Sequence, residues 1–143
     1  MVEEIYQKPL LRLAGAATGA GSLPNPDAEE TLDNPTCGDR ITVQLTFTDG
    51  KITDLRHETR ACMLCQAAAS VLGEEAAGHS LEELCETRDD LAAFLKNEKE
   101  KAPAGWEKLD LFSVVAEHKS RHLCVLLPFD ATINALEMKN KKS

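Results

Sequence analysis

Ile41-Thr42-Val43-Gln44-Leu45-Thr46-Phe47-Thr48-Asp49-Gly50-Lys51 is the stretch on which the fold turns. Apolar Ile41, Val43, Leu45 and Phe47 alternate with polar Thr42, Gln44, Thr46 and Thr48, the two-residue period of a strand with one face buried and one wet. Asp49-Gly50 supplies residues that tolerate the positive φ angles of a two-residue hairpin turn. The chain from Lys51 to Thr59 is therefore expected to return antiparallel. That return strand runs directly into Cys62, where the period changes. Leu64, Ala67, Ala68, Val71 and Leu72 mark a helical face, and Gly78 is a plausible stop.

Downstream, Ser80-Leu81-Glu82-Glu83 has the form of a capping box, and Thr87-Arg88-Asp89-Asp90 reads as a second helix start. A helix through Leu91, Phe94 and Leu95 gives way to a polar loop around Lys101, Pro103 and Gly105. Another amphipathic stretch covers Leu109 to His118. The last helical segment follows Ser120, with Pro128 expected to break or kink it. Upstream, Ile5, Leu10, Leu11 and Leu13 suggest a short helix started or interrupted at Pro9, and Gly15 to Glu30 reads as an irregular connection. A small hairpin-based antiparallel β-sheet packed against helices is an α+β architecture.

With 143 residues and 15.6 kDa, the chain is long enough for one domain around one core. Only 4% of its residues are aromatic, so that core must rest on Leu, Val, Ile and Ala. A net charge of −8 argues against nucleic acid as a partner, because phosphate binding needs clustered Lys and Arg. The basic run Lys139-Asn140-Lys141-Lys142 is too short to reverse that. No segment approaches the roughly 20 apolar residues that span a bilayer, so no membrane is expected. Glu3 and Glu4 stand where a secretory signal would be basic. Five cysteines without an export signal suggest a reducing, cytoplasmic setting in which thiols serve metal or redox chemistry.

Three of those cysteines sit in sequences suited to presenting a thiolate. Cys37 lies in Asn34-Pro35-Thr36-Cys37-Gly38-Asp39, where Pro35 holds the approach extended and Gly38 permits a turn that lets Cys37 and Asp39 converge on one ion. Cys62 falls at the strand-to-helix junction, where helix N-terminal amides favour an anion. Cys124 follows Arg121 and His122 near another helix start, and Arg121 is placed to lower a thiol pKa or pair with a persulfide. Together with Asp39 these make a candidate four-ligand site of three sulfurs and one harder, more exchangeable oxygen. Each has a plainer reading: Cys37 as a small buried residue, Asp39 as a turn-former, His122 as a surface residue rather than a ligand. Cys65 completes a Cys-x-x-Cys pair and is a possible accessory thiol, or simply packs with Ala68 and Ala69. Cys85 reads as a core or semi-buried thiol, and His57, His79 and His118 have no evident partners.

Asn34-Pro35-Thr36-Cys37-Gly38-Asp39-Arg40, Cys62 through Ser70, and Arg121-His122-Leu123-Cys124 resemble, in order, the three cysteine segments of the U-type iron–sulfur assembly family: IscU, the N-terminal domain of NifU, and SufU. The resemblance spans roughly Pro35 to Leu136. The long stretch between Cys62 and Cys124 is similar to the SufU insertion, here about residues 79–108. Leu123 stands where IscU has a His before the third cysteine, and the Leu-Pro-Pro-Val-Lys motif of IscU is missing. Ala61 replaces a Gly usual before the second cysteine, and Cys65 a Ser usual after it. On this resemblance the chain is one domain, 1–143, with a helix and irregular connection over 1–33 and a core over 34–143.

The resemblance implies Cys37, Asp39, Cys62 and Cys124 as the ligand set, holding Zn²⁺ or a transient [2Fe–2S] cluster. It implies a cysteine desulfurase of SufS/IscS type as sulfur donor, Cys37 as sulfur acceptor, Arg121 as an aid to it, and apo iron–sulfur proteins as recipients. Such a protein is at most a sulfurtransferase-type partner of the desulfurase. Two other classes remain open: a structural zinc module for protein binding, and a dithiol redox protein using Cys62 and Cys65.

Overall fold

The computed structural model describes residues 8–35 and 38–142, the last four as backbone only. Helix α1 (Lys8–Ala16) takes Pro9 in its first turn, where the missing N–H has no helical partner to lose. It buries Leu10 and Leu13 and leaves Leu11 exposed. Ile5 lies outside the described residues.

Three antiparallel strands follow in sequence order: β1 (Ala28–Asn34), β2 (Asp39–Thr48) and β3 (Lys51–Arg60). The β2–β3 hairpin is the one the alternation predicts. Ile41, Val43 and Leu45 are buried, and Asp49 and Gly50 turn the chain with φ of 55° and 78°. One departure sits near the turn. Thr46 pairs with Asp54 but Phe47 with Ile52, so Thr53 is an extra residue in β3. This bulge lets Ile52 and Leu55, three apart, both face the core, and Phe47 is only partly covered.

Strand β1 overturns the expected irregular connection, which reached Glu30. Its sequence, Ala-Glu-Glu-Thr-Leu-Asp-Asn, carries little apolar alternation of its own. Cross-strand pairs with β2 stabilise it instead: Thr31 with Thr42 at 2.8 Å, Gln44 with Glu29 at 2.7 Å, Arg40 with Asp33 at 2.6 Å. Such partners are legible only once the register is known.

The buried face of the sheet packs on α2 (Met63–Glu75) and α4 (His122–Lys142), with α1 against α2 and α3 (Leu81–Leu95) against α4. Helix α3 begins with the expected capping box, the Ser80 hydroxyl accepting from the Glu83 amide while the Glu83 carboxylate accepts from the Ser80 amide. There is no second start at Thr87. Its hydroxyl donates back to the Glu83 carbonyl at 2.9 Å, so the residue that resembles a cap lies mid-helix. Between α3 and α4 the amphipathic stretch is a 3₁₀ helix, Glu107–Val115, rather than an α-helix. Leu109, Phe112 and Val115 are all buried, and their three-residue spacing matches the 3₁₀ repeat. Pro128 does not break α4, which is assigned as helix on both sides of it.

The register fixes what lies at the end of the sheet opposite the Asp49-Gly50 turn. Asn34 pairs with Asp39 across β1–β2, and Arg40 with Arg60 across β2–β3. The first residue of β2 and the residues just beyond β3 therefore share one end, where the first turn of α4 arrives.

Candidate metal centre

Cys62 is the N-cap of α2, with extended backbone (φ −64°, ψ 166°). The Gln66 amide bonds to the Cys62 carbonyl at 3.0 Å, while the Gln66 side chain donates to the Ala61 carbonyl at 2.9 Å. Those two bonds hold the residues before and at the cap to the first turn of the helix. Asp39, only 2% exposed, accepts the Cys62 backbone N–H on Oδ1 at 2.9 Å. Its Oδ2 lies 3.8 Å from the Cys62 thiol. One carboxylate oxygen is thus committed to the backbone and the other faces the sulfur.

Cys124 reaches the same place from the third position of α4 and is fully buried. One ligand atom from each of Asp39, Cys62 and Cys124 lies within 4.8 Å of the others. Bonds of about 2.3 Å in a tetrahedral zinc thiolate imply ligand–ligand edges of about 3.8 Å, so small side-chain rotations close the set on an ion. The chemistry of the set also suits a cation. Asp39 opposes ionisation of Cys62 by like-charge repulsion, an opposition that a divalent ion between them removes. Cys37, the fourth expected member, lies outside the described residues.

The two thiols of Cys62-x-x-Cys65 differ sharply. Cys62 is half-buried, and its pKa is lowered to about 6, chiefly by a hydrogen bond from Cys124, with help from the amides of Cys65 and Leu64. Burial and Asp39 act against that shift. Cys65 points into the core with no exposure, and desolvation raises its pKa. It packs with buried Ala68 and Ala69, as the plainer reading has it, and is not in the cluster.

Arg121 ends the short 3₁₀ turn Lys119–Arg121, one residue before α4. The His122 ring is occupied elsewhere: Nε2 lies 3.1 Å from the carbonyls of both Val115 and Ala116, closing the end of the 3₁₀ helix. His57, given no partner in the sequence, is buried between Thr59 (Nδ1 to Oγ1, 2.9 Å) and the Thr18 carbonyl (Nε2 to O, 2.9 Å). It ties the segment after α1 to β3. Asn34, quoted above only as part of a motif, is 5% exposed, and its side-chain amide donates to the Cys124 sulfur at 4.0 Å. The signal for it was a polar residue paired with Asp39, visible only in the register.

Residues 5–123 match the family described as NifU-like N terminal domain. The chain belongs to that family. Proteins similar to this NifU-like chain include one from Thermotoga maritima named iron–sulfur cluster assembly scaffold protein IscU, 26% identical over 133 residues and covering 93% of each chain. A Streptococcus pyogenes protein of the same name is 27% identical over 106 residues, 74% of this chain and 67% of that one. Among solved structures, a nitrogen-fixing NifU-like protein (N-terminal) from Brucella abortus superposes with a TM-score of 0.93 at 36% identity, over 99% of both chains. A putative scaffold protein for the SUF system from Fervidobacterium islandicum has a TM-score of 0.81 at 23% identity, covering 95% of this chain and 99% of that one. That last likeness is one of fold.

Proposed function

We propose that this NifU-like chain is an iron–sulfur cluster biogenesis protein, accepting sulfur from a cysteine desulfurase, serving as scaffold for a transient [2Fe–2S] cluster, or both. The observation that carries this reading is the meeting of Asp39, Cys62 and Cys124 within 4.8 Å at one end of the sheet. The names of the Thermotoga and Streptococcus relatives support it.

Cys37, Asp39, Cys62 and Cys124 would hold Zn²⁺, or iron as cargo, with thiolate sulfur giving affinity and the Asp39 oxygen giving exchange. Zinc held by these residues would keep the thiolates ionised. In the sulfur step a thiolate, assigned to Cys37, attacks the terminal sulfur of the donor's Cys–S–S⁻. The donor S–S bond breaks, the donor leaves as a thiolate, and the acceptor becomes the persulfide. Asp39 is held through Oδ1 by the Cys62 amide with Oδ2 toward the sulfur, and its hard carboxylate oxygen, beside soft thiolates, suits the ligand that lets go first. Arg121, just ahead of the Cys124 turn, is assigned to steer the anionic sulfur.

Anaerobic incubation with a cysteine desulfurase, cysteine and ferrous iron tests this. A sulfide-to-iron absorption band followed by transfer to apo-ferredoxin is the scaffold result. Retained zinc, faster desulfurase turnover and persulfide on Cys37 without a cluster is the sulfur-acceptor result. Neither outcome, with unfolding on chelation, would make the protein a structural zinc module instead.

A further inference from the structure

We propose that Asn34 is a positioning residue for the Cys124 thiolate, donating a hydrogen bond to its sulfur and thereby orienting it as a ligand and drawing off part of its electron density. The inference rests on the metal-site reading above and adds a residue to it. Asn34 is the last residue of β1 and lies directly opposite Asp39, the first of β2. Residues opposite each other on adjacent strands project to the same face, so the Asn34 amide and the Asp39 carboxylate sit side by side at the site. On the other face of the same strand, exposed Asp33 pairs with Arg40. Asn34 alone of the last two residues of β1 is turned inward.

A buried amide in that position requires partners, because an unpaired polar group there costs on the order of 1–3 kcal/mol. Cys124 Sγ, 4.0 Å from Nδ2, is one of them, and it joins β1 to α4 across 90 residues of sequence. The chemistry of the choice is informative. A Lys or Arg here would add a charge that competes with the metal; an apolar residue would leave the sulfur fully electron-rich. A neutral amide N–H withdraws some electron density from the thiolate and fixes its direction while leaving the net charge of the site unchanged. Outer-shell donors of this kind orient ligands and tune the bond to the metal.

Cobalt(II) is the probe, because its thiolate charge-transfer band reports sulfur electron density independently of any activity. In Asn34→Leu, which keeps the size and removes the donor, the band is expected to move to lower energy. Zinc is expected to leave about 10-fold faster because the sulfur is no longer held toward the ion, at the lower end of the roughly 10–100-fold cost of losing an outer-shell partner. Asn34→Asp, close to isosteric, is expected to shift the band the same way and serves if the Leu variant does not fold. An unshifted band in a folded variant overturns the role of Asn34 even if stability falls. Absence of any thiolate–cobalt band in the unaltered protein overturns instead the metal-site reading beneath it.

Discussion

The two ends of the three-stranded sheet are built on opposite principles. At the turn end, Asp49 and Gly50 reverse the chain in solvent, with the positive φ angles that a two-residue hairpin turn requires. At the site end, the polar side chains of Asn34 and Asp39 are buried beside Cys62 and Cys124, Asn34 bonding to the Cys124 sulfur and Asp39 to the Cys62 amide and thiol. The first arrangement is local and cheap to change. The second depends on residues 90 positions apart, and substitutions there should register in metal binding as well as in folding.

The strongest way to break that contrast is Cys62→Ala. Cys62 is only half-buried, so well below pH 6, where its lowered thiol pKa contributes nothing, the metal-free variant should unfold at nearly the same denaturant concentration as the unaltered protein. Its zinc affinity should fall by more than the roughly 10–100-fold typical of an outer-shell loss. Competition with a chromogenic chelator measures this, and a variant that holds zinc normally would remove Cys62 from the ligand set.

Asp39→Ala probes the same end with a divided effect. Losing Oδ1 leaves the Cys62 amide without its carboxylate partner, which should cost on the order of 1–3 kcal/mol in the metal-free protein. The weakest ligand has gone, however, so a bound cluster or zinc ion should be released more slowly than from the unaltered protein. Urea unfolding and stopped-flow release to a chelator read the two quantities separately. Release that is unchanged or faster would contradict the labile-ligand role.

A matched pair of glycines sharpens the comparison further. Gly38 at the site end and Gly50 at the turn end have φ of 71° and 78°, and a Cβ on either would meet nothing within 4 Å. Alanine at each should therefore cost about the same, on the order of 1–2 kcal/mol of backbone strain. Only Gly38→Ala, next to Asp39, should also alter zinc release. Equal effects on release would mean that the two ends are not distinct.

What the sequence revealed follows the same division. The hairpin was legible because its determinants are local: alternation from Ile41 to Leu45 and two residues that tolerate positive φ. Strand β1 was not, since its stability lies in cross-strand pairs such as Gln44 with Glu29. Thr87 misled because a hydroxyl that caps a helix N-terminus also bonds back to a carbonyl within one. The spacing of Leu109, Phe112 and Val115 held the 3₁₀ repeat in plain view, but a three-residue period over so short a run also fits an α-helical face. At the site, Asp39, Cys62 and Cys124 announced themselves by residue type and flanking sequence, whereas Asn34 required the register of β1 against β2.

The smallest effect expected on zinc binding comes from the second cysteine of a pair that shares a motif and little else. Cys62 and Cys65 are three residues apart, but one caps a helix and the other faces the core. In the metal-free protein, alkylation at Cys62 should rise through a midpoint near pH 6, whereas Cys65 should stay unreactive well above the ordinary thiol range. The sign for stability follows from the same values. The folded pKa of Cys62 lies below its ordinary value of 9.0, so the folded state binds fewer protons between them. Its contribution is complete above about pH 9 and is lost as pH falls through about 6. Cys65→Ala should leave that profile, zinc retention and sulfur acceptance untouched while costing a small amount of packing. If Cys65→Ala abolished sulfur acceptance, the motif would be working as a dithiol after all, and the division between a reactive cap and an inert core thiol would fail.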